Sequence, residues 1–126
     1  MQSLYLGPVL PASEVRTIGR EELQRKLAGG GALRLVMCRP EREFQTKRIP
    51  GSIHFETRDE MLAGLKRDDE VVLYCTNTEC LASQVVYRFL VEHGYTNVWR
   101  YAGGLVDWEE AGLPLDGTSA TSPPVH

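Results

Sequence analysis

Two thiols, Cys75 and Cys80, stand five positions apart in the stretch V-V-L-Y-C-T-N-T-E-C-L-A-S at residues 71–83. An apolar run rich in β-branched residues delivers Cys75 to its end. A short polar loop follows, and an apolar helix begins near Leu81. A thiol between a strand's C-terminal end and a helix's N-terminus faces backbone N–H groups without helical partners and the positive end of the helix dipole. Both favour the thiolate, which is the nucleophilic form. The placement therefore marks Cys75 as a candidate nucleophile, against the plainer reading of free cysteine as a small buried hydrophobe. Cys80 is a candidate resolving thiol, able to attack an oxidised Cys75 and close a disulfide. It could equally point into the core as the first helical residue.

The remaining polar candidates carry less chemistry. Cys38 ends a second apolar run and reads as a valine substitute in the packing. Arg39 and Glu43 lie four apart at a strand-to-helix corner and are expected to pair. Lys47 and Arg48 precede an I-P-G turn and, with Arg39, could draw an anion to the rim of the site; as exposed charges they are otherwise simply solvated. His54 stands alone and reads as structural rather than as a general base. Gly103 and Gly104 allow a tight backbone turn, and Trp108 reads as a core anchor.

The elements that must hold these residues alternate along the chain. Helical spacing appears at 21–28, stopped by Gly29 and the two glycines after it. Helices are also expected at 40–45, weakly at 60–65, at 81–93 and at 105–111. The 81–93 pattern is the clearest, with Leu81, Val85 and Phe89 on one stripe and Val86 and Leu90 beside it. Apolar strand runs occupy 33–38, 52–55, 71–74 and 98–101. Strands alternating with helices imply a mainly parallel sheet covered on both faces. In such sheets ligands bind beyond the carboxyl ends of the strands, where Cys75 lies. The expected organisation is an N-terminal arm at 1–16, one domain at 17–114 and a flexible polar tail at 115–126.

The whole chain has 126 residues, three cysteines, three scattered histidines and a formal net charge of −3. The length suits one core without staples. The slight negative charge carries no nucleic-acid footprint. No apolar run approaches the roughly 20 residues of a membrane span, and the N-terminus lacks the pattern of a signal peptide. An odd, low cysteine count argues against a disulfide scaffold and fits a reducing, cytoplasmic setting. Without C-x-x-C or H-x-x-x-H spacing no metal site is expected, and no cofactor is implied. A monomer or weak dimer is expected.

Four segments taken together resemble the rhodanese (sulfurtransferase) family. They are L-R-L-V-M-C-R-P-E-R-E-F at 33–44, R-I-P-G-S-I-H at 48–54, the Y-C loop with its helix, and H-G-Y-T-N-V-W-R-Y-A-G-G-L-V-D-W-E-E-A-G-L-P at 93–114. The resemblance implies a rhodanese-like α/β fold with a mainly parallel five-stranded sheet, helices on both faces, and Cys75 at the persulfide-forming position. It departs from the family pattern where Met37 replaces an acid before Cys38 and Arg39. Cys80 stands where a loop arginine is usual, and Ser83 comes two positions late.

The chemistry so implied is a double displacement at sulfur. Cys75 thiolate takes the outer sulfur of a small donor anion such as thiosulfate, or of a persulfide. A thiol, a protein or cyanide then removes it. The loop amides of Thr76, Asn77, Thr78, Glu79, Cys80 and Leu81 would cradle the anion, and Thr76, Thr78 and Ser83 could add hydroxyl donors. Glu79 opposes a dianion by about 1 kcal/mol or more at a few ångströms. The alternatives are a catalytically weak rhodanese-like binding or sensor module and a Cys75–Cys80 redox protein. A phosphatase or arsenate reductase would need an arginine to clamp its oxyanion, and none occurs between Cys75 and Ser83.

Overall fold

The computed structural model describes residues 15–29, 33–77 and 81–118. Its elements alternate as the pattern demands. Helix α1 (Arg20–Ala28) is followed by β1 (Arg34–Met37), α2 (Glu41–Thr46), β2 (Ser52–Ile53), α3 (Arg58–Gly64), β3 (Val71–Tyr74), α4 (Ala82–Glu92), β4 (Val98–Tyr101) and α5 (Gly104–Glu110). The four strands pair in parallel in the order β2-β1-β3-β4. The sheet is thus four-stranded among the described residues, a correction to the five expected. The fifth position is reduced to a single bridge from Thr17 to Arg100. Arg100 spends both its backbone groups on Arg16 and Ile18 there, and the chain then turns into α1 at Arg20, so pairing stops after one residue.

Successive strand side chains point to opposite faces, and the core divides accordingly. Leu35, Met37, Val72, Tyr74 and Tyr101 pack with Leu23 of α1 and with Leu105 and Trp108 of α5. Val36, Val71, Leu73 and Val98 pack on the other face with Met61 of α3 and with Tyr87 and Leu90 of α4. The central β3 is buried throughout, which explains its unbroken apolar sequence. Helix α3 starts two residues earlier than expected because Thr57 caps it. The Thr57 hydroxyl accepts from the Glu60 N–H at 3.0 Å, and the Glu60 carboxylate accepts from the Glu56 N–H at 3.0 Å.

The I-P-G turn is fixed by Tyr74. Its buried hydroxyl lies 3.0 Å from the Ile49 N–H and 2.7 Å from Ser52 Oγ, while Gly51 takes φ +90°, a left-handed conformation that favours glycine. The chain also stays on the fold past Pro114. Leu115 packs against the first core cluster, and Arg48 and Asp116 exchange backbone hydrogen bonds of 2.9 and 2.8 Å. The Thr118 N–H reaches the Gln45 carbonyl at 3.0 Å. Of the expected flexible tail, 119–126 lie outside the described residues, as do 1–14 of the expected arm. No helix among the described residues is long and apolar enough to cross a membrane.

Candidate active site

Cys75 follows the last residue of β3, and its side chain is buried. The first turn of α5 grips the backbone there. The Leu105 N–H donates to the Cys75 carbonyl and the Val106 N–H to the Thr76 carbonyl, each at 2.9 Å. This approach requires Gly104, which takes φ +68°, and a Cβ there would stand 2.6 Å from the Cys75 carbonyl oxygen. Of the two glycines noted in the sequence, Gly104 is thus the one that brings α5 onto the strand end that carries the thiol.

Cys38 lies alongside. The β1–β3 ladder ends on Met37 and Tyr74, and the Cys38 N–H continues it to the Tyr74 carbonyl at 2.8 Å. Cys75 Sγ is 3.8 Å from the Cys38 carbonyl oxygen, a contact that a reduced thiol would make as a donor. In the structure Cys75 is disulfide-bonded, whereas Cys38 is a free thiol. Burial pushes the Cys38 thiol up to about 12, against smaller opposing effects of the Tyr74 backbone and the Arg100 charge. Cys38 packs against the second core cluster, consistent with its reading as a valine substitute. Cys80, expected as the resolving thiol, lies outside the described residues together with Thr78 and Glu79.

The rest of the loop is partly in view. Thr76 is half-buried and Asn77 exposed. Leu81, at the N-cap of α4, is 65 % exposed and makes no side-chain cap, so the first N–H groups of this helix face the loop without a side-chain acceptor from that residue. Ser83, in the first turn of α4, is buried. Its Oγ accepts a 2.8 Å hydrogen bond from Nε of Arg100, whose guanidinium is itself buried.

An open cavity of about 480 Å³ lies beside Cys38, between the ends of β1 and β2 and the flank of α4 at Ala82 and Val86. Glu41, His54 and Glu56 stand on its rim. The Glu56 carboxyl is raised by its hydrogen bond to Glu41, and the same bond lowers Glu41. His54 stacks on Phe44 with centroids 5.3 Å apart. Arg39 also lines the cavity, with its fork engaged on Glu43 at 2.7 and 2.8 Å, the pairing expected from their spacing. Lys47 and Arg48 sit elsewhere. Lys47 pairs with Glu109 at 2.8 Å, and Arg48 donates to the Phe44 carbonyl and lies over the Phe44 ring. No group of three or more His, Cys, Asp or Glu among the described residues could hold a metal ion.

Sequence reasoning missed Arg100 and Tyr74. The signal for Arg100 was present: in V-W-R-Y the period of two sets Arg100 on the side of Val98, the face that packs on α4. Tyr74 had no comparable signal, because a tyrosine ending a buried strand does not announce what its hydroxyl will meet.

The chain matches the family model described as Rhodanese-like domain over residues 19–111. It belongs to the rhodanese-like domain family. Its rhodanese-like domain is 35 % identical over 101 residues to a helix-turn-helix-type transcriptional regulator of Mycobacterium tuberculosis, covering 79 % of this chain but only 44 % of that protein. It is 29 % identical over 91 residues to a thiosulfate sulfurtransferase of Actinobacillus succinogenes, covering 71 % of this chain and 80 % of the relative. The solution structure of a rhodanese-like domain from Anabaena shares the fold, with a TM-score of 0.73 at 20 % identity over 87 % of this chain and 85 % of that one.

Proposed function

We propose that this rhodanese-like domain is a sulfurtransferase that carries sulfane sulfur as a persulfide on Cys75. The observation that carries the reading is the seat of Cys75: a buried strand end whose backbone, with that of Thr76, is held by the first turn of α5. In the first step the Cys75 thiolate attacks the outer sulfur of thiosulfate. The new S–S bond forms as the donor's own S–S bond breaks, and sulfite leaves with the electron pair. In the second step an acceptor thiolate attacks the terminal sulfur of the persulfide. It departs as an acceptor persulfide, and Cys75 returns as thiolate; with cyanide the product is thiocyanate. The negative charge stays near the loop amides and the α4 N-terminus throughout. The sulfurtransferase relative at 29 % identity supports this chemistry. The cycle starts from the thiolate, so the disulfide on Cys75 must first be opened by two electrons from a thiol reductant.

A second reading is a thiol sensor in which Cys75 and Cys80 interconvert between dithiol and disulfide. The disulfide on Cys75 favours it, as does the relative named as a transcriptional regulator. Intact mass separates the two readings. Reduced protein incubated with thiosulfate, mercaptopyruvate or a low-molecular-weight persulfide gains one sulfur, about 32 Da, as persulfide, and Cys75→Ser gains none. A mass that never rises with any donor, while the wild type cycles by two hydrogens under mild oxidant and Cys80→Ser does not, would replace the sulfurtransferase with the sensor.

A further inference from the structure

Arg100 is a buried cation in a position that packing alone does not call for. It belongs to the β4 face whose other core residue is Val98, against apolar Leu90 and the ring of Tyr87 on α4. Removing a guanidinium from water costs several kcal/mol unless its surroundings repay it, and an aliphatic residue would fill the same space without that cost. Burial pulls the Arg100 guanidinium below its usual range, yet an arginine keeps its charge in a protein. Its placement relates it to the sulfur. Arg100 pairs with Leu73, two residues before Cys75 on the neighbouring strand. That register sets the two backbones roughly 8 Å apart, from a strand spacing of about 4.8 Å and a rise of about 3.3 Å per residue. The side chain runs to the first turn of α4, where Nε meets buried Ser83 Oγ at 2.8 Å. No arginine or lysine occurs between Cys75 and Ser83, so the loop itself brings no cationic side chain to its anion.

We propose that Arg100 is the positioning residue of this site: anchored on Ser83, it fixes the first turn of α4 over the sheet and sets a permanent positive charge beneath the sulfur anion on Cys75. The proposal rests on the sulfurtransferase reading for its purpose but not for its test. Among the described residues, the other charged or titratable groups near the strand ends are Cys38 from β1, neutral at ordinary pH, Arg39, engaged by Glu43, and Asp107 of α5, which accepts from Arg20 and from the Tyr101 hydroxyl. From α4 comes the Tyr87 hydroxyl, which accepts from the Arg16 N–H, and the carboxyls of Glu41 and Glu56 with His54 lie across the open cavity. Glu79 and Cys80 adjoin in sequence. Were the guanidinium about as far from the sulfur as the two backbones are from each other, its charge would move a thiol midpoint by about one pH unit, which is tenfold in thiolate below the midpoint.

The test is alkylation of Cys75 in the fully reduced full-length chain. Iodoacetamide rates are followed from pH 5 to 10 and read at Cys75 after cleavage at Glu79, which separates Cys75 from Cys80, so Cys38 and Cys80 do not interfere. Arg100→Met and Arg100→Gln remove the charge, and Gln retains a donor for Ser83. Both are expected to raise the Cys75 midpoint by about one unit and to slow alkylation at pH 7 by about tenfold. Arg100→Lys keeps the charge and is expected to hold the midpoint near wild type. A folded Arg100→Met or Arg100→Gln protein that titrates as wild type would overturn the proposal. So would neutral variants that cannot fold while Arg100→Lys folds normally, since Arg100 would then be a structural residue only. Sulfur loading from thiosulfate is measured on the same samples. A wild type that never loads refutes the sulfurtransferase reading and leaves the titration to judge Arg100 by itself.

Discussion

Two cysteines end neighbouring strands in different surroundings. Cys38 packs among apolar side chains, and burial raises its thiol to about 12; Cys75, also buried, ends the strand that leads into the loop before α4. In the reduced protein Cys75 is therefore expected to alkylate at pH 7–9 while Cys38 stays unmodified, as peptide mapping would show. The raised Cys38 value also has a stability consequence. Between its ordinary value near 9 and its folded value, the unfolded chain has lost the proton and the folded chain keeps it. Stability is complete below pH 9 and falls as pH rises, by up to about 1.4 kcal/mol per pH unit. Tyr74, raised to about 12 from 10, adds to the slope only above pH 10. Urea titrations at pH 8.5 and 10 should show a smaller loss in Cys38→Val than in wild type; equal losses would mean that Cys38 ionises without cost in the folded chain.

The elements were largely legible because each carries its own period. Leu35 and Met37 alternate with Val36, β3 is apolar throughout, and α4 shows helical spacing from Val85 to Leu90. What escaped was set by contacts between distant segments. The edge pairing at Thr17 is a single bridge, and the cap at Thr57 lies in a polar stretch without apolar periodicity. The role of Tyr74 at the I-P-G turn and of Arg100 beneath α4 depends on partners 17 to 25 positions away in sequence. The loop was recognised from its strand–thiol–helix order, but its grip by α5 was not. That grip makes a direct prediction. Gly104→Ala must leave the left-handed region or endure a Cβ 2.6 Å from the Cys75 carbonyl. The expected cost is at least about 2 kcal/mol, together with slower alkylation and sulfur loading of Cys75. A variant as stable and reactive as wild type in urea melts and mass-resolved kinetics would show that α5 does not position the strand end.

Over the whole molecule, two apolar layers close on one parallel sheet and leave its carboxyl edge for the thiol. The packing runs past the sequence-derived boundary at Pro114, through Leu115 and the Arg48–Asp116 pairing. A chain ending at Pro114 should lose about 1–3 kcal/mol, from the burial of one leucine and three backbone hydrogen bonds, while a chain ending at Thr118 should match full length in urea unfolding. Equal stability of both would place the fold's limit where the sequence first suggested. The account's central claim is that Cys75 holds sulfur between donor and acceptor, and a single-turnover experiment addresses it most directly. Reduced protein is loaded with thiosulfate, freed of donor on a desalting column and mixed with cyanide, and thiocyanate is measured. The account predicts thiocyanate stoichiometric with loaded protein, the return of the unloaded mass, and neither event in Cys75→Ser. Thiocyanate that fails to form from loaded protein, or forms equally in Cys75→Ser, would contradict it.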